Sequence, residues 1–300
     1  MVQQAATPLT TTQLRLQKSA PDSPARKAFR RFRRHRLAMA GLLIIILLVV
    51  ASLLGSQSAA LSQNLRAMNK PPSGDHWLGT DRIGRDIFAR TLVGGRISLA
   101  VGLVAVFFST TIGIVTGALA GYYRGWLDQL IMRVVDVVLS FPVIILLLCV
   151  SSIVGPSIFN VMAMIGLLTW PIPCRIMRGQ FLAIRERAYI EAARCTGVRD
   201  FDIARRHILP NAIAPLLVYA SFGVATAVLL EAGLSYLGLG VQPPTPSWGN
   251  MLNTARNIST LERNSWQWVP PAITTVLFVL AVNFVGDGIR DAIDPQAKED

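Results

Sequence analysis

The chain has 300 residues, of which 52% are hydrophobic and 15% charged, and its mean hydropathy is +0.47. This composition excludes a disordered chain, which is poor in apolar residues. The formal net charge is +12, from 29 Lys and Arg against 17 Asp and Glu. That charge is bunched between long uncharged stretches instead of lying as a stripe over an ordinary soluble core, which argues against a nucleic-acid binder.

Residues 1–36 form a basic N-terminal segment. Residues 1–28 are rich in Thr, Gln, Ser, Pro and Ala and are expected to be a mobile tail. A helix needs about 20 apolar residues to cross a bilayer. Leu37–Leu54 meets this as a first span, within a segment 37–55, and Ser98–Ala120 is a second. Val137–Cys174 is a longer run, and its break at Gly155-Pro156-Ser157 reads as a tight turn between a third and a fourth span. Ile208–Leu230 is a fifth, and roughly Trp268–Gly286 a sixth. The expected fold is therefore all-α and integral to the membrane, with six transmembrane helices. Residues 56–97 form an outer segment, 98–287 the main membrane domain and 288–300 a tail. The stretch Arg82–Leu99 could form a helix lying on the outer surface. Leu37–Leu54 is expected to be an uncleaved anchor, because both the preceding segment and the apolar run are longer than a signal peptide uses.

Lys and Arg set the orientation. Nine precede the first span, Arg124 and Arg133 separate spans two and three, eight lie between spans four and five, and Arg290 and Lys298 follow span six. The intervening segments on the other face hold eight, partly offset by Asp75, Asp81 and Asp86. Both termini are thus expected in the cytoplasm. Gly113, Gly117 and Gly121 recur every four residues and line one helix face, where another helix can approach closely, either at an interface with another permease or in an internal packing seam. Pro142, Pro171, Pro173 and Pro215 permit kinks. Asp136 follows Arg133 by three residues and is expected to pair with it. Glu231 closes span five, and no carboxylate is placed deep in a span, which lowers the case for a proton-coupled carrier.

Several chemistries lack their residues. There is no phosphate-cradling loop, no nucleophile elbow and no His or Cys pair at zinc spacing. No catalytic residue, metal site or cofactor bound by this chain is expected. Cys149, Cys174 and Cys195 are expected to be unpaired thiols. If the chain moves a solute uphill, the energy must come from another subunit.

The segment 178–213 is the most informative. It contains a helical stretch, Phe181–Cys195, then Gly197, then a second stretch, Asp200–His207, then Pro210. Gly197 suits a left-handed turn that ends the first helix. Asp200 is expected to cap the second helix and Pro210 to end it. Two short helices joined at a glycine form a knob too small to be a domain, so docking is its expected use.

The sequence Glu191-Ala192-Ala193, followed by Gly197 and Ile208-Leu209-Pro210, resembles the EAA loop of ATP-binding-cassette importer permeases. His207 stands where the consensus has Ile, a variation shared by the peptide branch of the family. Further segments resemble the dipeptide/oligopeptide/nickel branch. They are His76-Trp77-Leu78-Gly79-Thr80-Asp81, Gly84-Arg85-Asp86, Arg96-Ile97-Ser98-Leu99, Met132-Arg133-Val134-Val135-Asp136, Leu237-Gly238-Leu239-Gly240, the tract from Gln242 to Gly249, and Gly286–Pro295. The outer tract and the Pro-Pro-x-Pro-x-Trp-Gly tract are similar to the C-type permease that partners a B-type one.

The resemblance implies a type I importer permease fold in a bacterial plasma (inner) membrane, and a non-catalytic subunit that forms half of a path for di- or oligopeptides. It implies a B-type permease, two ATPase subunits and an extracytoplasmic solute-binding protein as partners, besides membrane lipid and the cargo. It implies a coupling loop over 178–212, with Ala188, Tyr189, Glu191, Ala192, Ala193, Arg194, Gly197, Arg199, Asp200 and Pro210 as the ATPase-coupling residues. The loop from Gly240 to Trp268, with Pro243, Pro244 and Trp248, is expected to meet the binding protein or shape the outer gate, or else to close the bundle as a lid. Nickel chelate, glutathione, an opine or another small solute is the alternative cargo. An ATP-independent secondary carrier or channel is the alternative of another class.

Overall fold

The computed structural model describes residues 24–293. Among them every element is helical apart from an isolated bridge between Thr80 and Asp86. The expected tail over 1–28 lies outside the described residues up to residue 23. From Pro24 the chain is already a helix, α1 (Pro24–Arg34), because proline suits a first helical position and Ala, Lys and Arg are good helix formers.

The first span, α2 (Arg36–Leu54), is capped by His35, whose Nδ1 accepts from the Ala38 amide at 3.0 Å. Its C-terminal carbonyls are satisfied from another helix. Arg96 donates to Ser52 O at 2.6 Å, to Leu53 O at 2.7 Å and also to Gly55 O. After α3 (Gln57–Leu61) the chain forms a loop clasped by carboxylates. Asp81 accepts from the Ile83 and Arg85 amides and from Arg85 Nε at 2.7 Å. Asp86 caps the next helix through the Ala89 amide at 2.8 Å and pairs with His76 Nδ1 at 2.8 Å.

That helix, α4 (Ile87–Tyr123), has 37 residues and is about 55 Å long. It absorbs most of the expected outer-surface stretch Arg82–Leu99 into one continuous rod. Pairing with Glu231, Trp248 and the outer loop buries the polar residues at its start, so no separate surface helix forms.

The expected third span is different in form. The chain makes α5 (Gly125–Leu139) and α6 (Val143–Val154), bent by 87°. Pro142 lacks an amide proton and disfavours helical geometry at Phe141, so the break falls at Ser140-Phe141-Pro142. The 12 residues of α6 cover only about 18 Å, too short to cross a bilayer alone. The pair nevertheless carries the chain from one face to the other. Arg124, at the start of α5, bonds Glu186 just past the end of α8, and Asp128 and Asp136 bond Arg178 and Arg175 farther back along α8, whereas Ser151 of α6 donates to Leu239 O on the opposite face at 2.7 Å. Asp136 therefore pairs with Arg175 at 2.5 Å rather than with Arg133.

α7 (Ile158–Thr169) and α8 (Pro171–Arg185) together form the next span, which runs 28 residues to Arg185. The remaining helices are α9 (Ala188–Cys195), α10 (Asp200–Asp202), a π turn at Ile203–Ile208, α11 (Leu209–Ala212), α12 (Ala214–Tyr236), α13 (Trp248–Leu252), α14 (Ile258–Arg263) and α15 (Val269–Ile293). Among the described residues α2, α4, α7 and α8 taken together, α12 and α15 are long and apolar enough to cross a membrane, five passages in all, and the bent α5–α6 pair supplies a sixth. Pro171 and Pro215 stand in the first turns of α8 and α12, so they start helices and do not kink them.

Among the described residues the helices meet in four apolar clusters. One of them joins Val101, Ala105, Leu147, Val161, Ile165 and Leu234. The glycine stripe of α4 is an internal seam. A Cβ on Gly113 would lie 2.7 Å from Pro173 Cγ, one on Gly121 2.6 Å from Phe181 Cβ, and Gly117 packs against the Cys174 carbonyl. Both described ends of the chain share a face. Gly288 packs on Phe32, and His35 Nε2 lies 3.4 Å from Asp291. α15 extends to Ile293, past the expected end near Gly286, and the rest of the expected 288–300 tail lies outside the described residues.

Candidate functional site

The knob is the segment from Ala188 to Ala212, projecting where α4, α8 and α12 converge. It is fastened by isoleucines. Ile190, Ile203 and Ile208 are wholly buried in a cluster with Tyr122, Met177, Phe181, Ile184 and Leu216. Each buried aliphatic side chain contributes about 1.5–3 kcal/mol. The expected helix Phe181–Cys195 is split at Glu186-Arg187, which turns α9 away from α8.

Gly197 has φ of +78°, the left-handed conformation expected from its position. The turn returns two amides to α9. The Gly197 N–H bonds Arg194 O at 3.0 Å, and the Val198 N–H bonds Ala193 O at 3.2 Å. A Cβ on Gly197 would meet nothing within 4 Å, so glycine is required by backbone conformation and not by space.

Two expectations about the knob are corrected. Asp200 does not cap α10, whose N-cap is Arg199 with no side-chain bond. Its carboxylate instead accepts from the Tyr122 hydroxyl at 2.6 Å, tying the knob to the end of α4. Pro210 does not end the helix. The π turn before it lets the Leu209 amide reach back five residues to Ala204 O, and the helix passes through the proline into α11. A π turn widens the backbone ladder where proline would otherwise clash with the carbonyl four residues earlier.

Ala188, Tyr189, Glu191, Ala192, Gly197 and Arg199 are exposed, and Ala193 and Arg194 are half-buried. The small alanines leave a flat surface. Tyr189, Val198 and Phe201 add exposed apolar area, Phe201 being 68% exposed. Val198 and Phe201 are not among the residues singled out from sequence; two apolar residues closely following a turn glycine in a polar loop are the signal for them. Arg124–Glu186 and Arg206–Asp202 pair at the rim, where solvent leaves such pairs little net strength. We expect Tyr122→Phe to loosen the knob by about 1–2 kcal/mol. Faster amide exchange over 198–203, with exchange in α12 unchanged, would register it.

The opposite face carries a cap built from 238–268 on the outer segment. Pro243 and Pro244 are exposed, while Trp248 is 1% exposed. The Trp248 indole donates to Thr91 O at 2.9 Å and lies 5.8 Å from the Phe278 ring. Trp248 is therefore a wedge closing the bundle and is not available to an external protein, whereas the proline tip is. Among the described residues no three His, Cys, Asp or Glu side chains group as a metal site, and the three cysteines are free.

Residues 113–299 match the family described as the binding-protein-dependent transport system inner membrane component. Residues 23–72 match the N-terminal membrane domain of oligopeptide transport permease C. A Brucella suis protein named as a peptide permease is 46% identical over 282 residues, 93% of each chain. The dipeptide transport system permease protein DppC of Alkalihalophilus pseudofirmus is 40% identical, covering 92% of this chain and 91% of its own. The glutathione transport system permease protein GsiD of Escherichia coli is 42% identical over 92% of both. Among solved structures, an inward-facing MetNI methionine ABC transporter chain superposes with a TM-score of 0.55 at 25% identity, covering 68% of this chain and 95% of that one. With the helical bundle, its knob and its cap, these matches show that the chain belongs to the binding-protein-dependent transport system inner membrane component family, as a multi-pass permease of an ATP-binding-cassette importer with the type I fold.

Proposed function

We propose that this permease forms half of a path for di- or oligopeptides, with a B-type permease as the other half. The observation that carries the reading is the knob: a rigid, isoleucine-fastened projection with a flat exposed surface and a glycine-set turn, built by a chain with no phosphate-binding loop of its own. Two ATPase subunits grip it from the cytoplasm, and an extracytoplasmic solute-binding protein delivers cargo at the cap. The Lys and Arg distribution supports cytoplasmic termini in a bacterial inner membrane, with 178–212 and 288–300 on the same side. The subunit is non-catalytic and holds no cofactor. Nucleotide can shift the permease only through a difference in contact energy between its two states, and the knob is where those contacts are made. Peptide as cargo is supported by the names of the relatives. Glutathione, itself a small peptide, is the second reading, supported by the 42% identity to GsiD.

The test is reconstitution. Vesicles holding both permeases are expected to take up peptide only when ATPases, ATP and loaded binding protein are present. Uptake by this chain alone, collapsing with an ion gradient, would favour a secondary carrier. Affinity of the cognate binding protein for dipeptides against glutathione separates the two cargoes.

A further inference from the structure

Glu231 is wholly buried near the outer end of α12, and the transport cycle as described gives it no role. Three buried serines donate to it: Ser235 and Ser247 to Oε1 at 2.7 and 2.8 Å, and Ser98 to Oε2 at 3.0 Å. Each serine oxygen in turn accepts a backbone amide of the cap: Val241 N–H on Ser235 at 3.0 Å, Asn250 N–H on Ser247 at 3.1 Å, and Trp248 N–H on Ser98 at 3.1 Å. Gly249 lies directly over Ala232 and Glu231, where a side chain would not fit. One carboxylate thus fastens both roots of the exposed tip, at 241 and at 247–250, and joins them to α4 through Ser98. Burial excludes competing water, so each of these bonds is stronger than it would be at a surface.

The position of this clamp in the fold matters. α12 runs about 34 Å from the knob segment, which feeds its N-terminus, to Glu231 and Ser235 at its far end. The exposed tip with Pro243 and Pro244 and the knob with Gly197 therefore sit at opposite ends of one helix. We propose that Glu231 is a positioning residue for solute-binding-protein docking: through Ser98, Ser235 and Ser247 it holds the proline tip rigidly on α12, so that contact made at the tip reaches the knob. The inference rests on the reading that the knob meets an ATPase and the cap a binding protein.

The experiment compares ATPase rates of the complete reconstituted importer with and without cargo-loaded binding protein. For E231A the ratio of stimulated to basal rate is expected to fall to near one while the basal rate stays at the wild-type level. E231Q keeps an acceptor for Ser235 and Ser247 and is expected to recover most of the ratio. S98A and S247A each remove one of the three serine links, its bond to Glu231 together with its bond to a cap amide, and are expected to lower it by intermediate amounts; they decide the matter if E231A is not recovered folded. Wild-type ratios in the recovered variants would overturn the proposal. So would basal and stimulated rates falling together at a constant ratio, which would mark the network as structural only. If the wild-type importer itself shows no stimulation, the docking reading fails and the proposal with it, an outcome visible before any variant is measured.

Discussion

Gly197→Val is expected to cut ATP-driven peptide uptake by at least about tenfold while the permease stays folded. With φ at +78° and no heavy atom within 4 Å of where a Cβ would stand, the cost is wholly conformational. A left-handed non-glycine residue costs roughly 1–2 kcal/mol, and a β-branched one sits at the upper end. Each 1.4 kcal/mol is about a factor of ten in an equilibrium. The chain relieves that cost by giving up the turn, and with it the Gly197-to-Arg194 and Val198-to-Ala193 bonds that orient α9 against α10. The isoleucines beneath remain buried, so the bundle survives while the docking surface is lost. The graded series distinguishes this from a general defect. Asn, which tolerates the left-handed region, is expected to be mild, Ala intermediate and Val severe. Uptake and ATPase stimulation are to be read beside the thermal midpoint of each variant; normal uptake by the valine variant would refute the role given to the turn.

The reach of the sequence is clear from particular residues. Gly197 is legible because a left-handed turn is a local requirement, met by one residue type between two helical patterns. The spans are legible because a bilayer demands long uncharged runs, and Pro142 marks where the α5–α6 bend falls, yet its size of 87° is not legible. Hydropathy treats Val137–Val154 as one run and does not register that Pro142 interrupts the backbone ladder. The pairing of Asp136 with Arg133 fails for a related reason. Spacing along one helix identifies neighbours on that helix, whereas Arg175 is 39 residues away and reaches Asp136 only because α8 folds back beside α5. Asp200 looks like a cap because it begins a helix; Tyr122, 78 residues earlier, offers its hydroxyl instead. Glu231 reads in the sequence as a charge closing a span. Its three serines come from α4, α12 and the cap, so no local pattern assembles them.

Gly117→Leu is expected to abolish recovery of folded permease. The residue lies midway along the seam between α4 and α8, facing the Cys174 carbonyl, and a Cβ added there would stand 2.8 Å from Met177 Cβ. Ordinary overpacking costs about 1–3 kcal/mol because neighbouring side chains can turn aside. Here the obstacles are a backbone carbonyl and the root of a side chain, which cannot rotate away, so the helices themselves must separate. Gly113 and Gly121, one turn to either side, make the same close approach, and separation at the centre opens the seam over about 12 Å. Lipid offers no hydrophobic drive to hold the helices together once their close packing is gone. Gly179→Ala on α8 is the matched control: a Cβ there meets nothing within 4 Å, and alanine is the better helix former, so that variant is expected to be as stable as the parent. Monodisperse protein recovered in detergent is the measurement. If the stripe were an interface with the second permease, the leucine variant would be recovered folded alone and fail only to form the heterodimer, an outcome the 2.6–2.8 Å approaches of Gly113 and Gly121 to α8 of the same chain argue against.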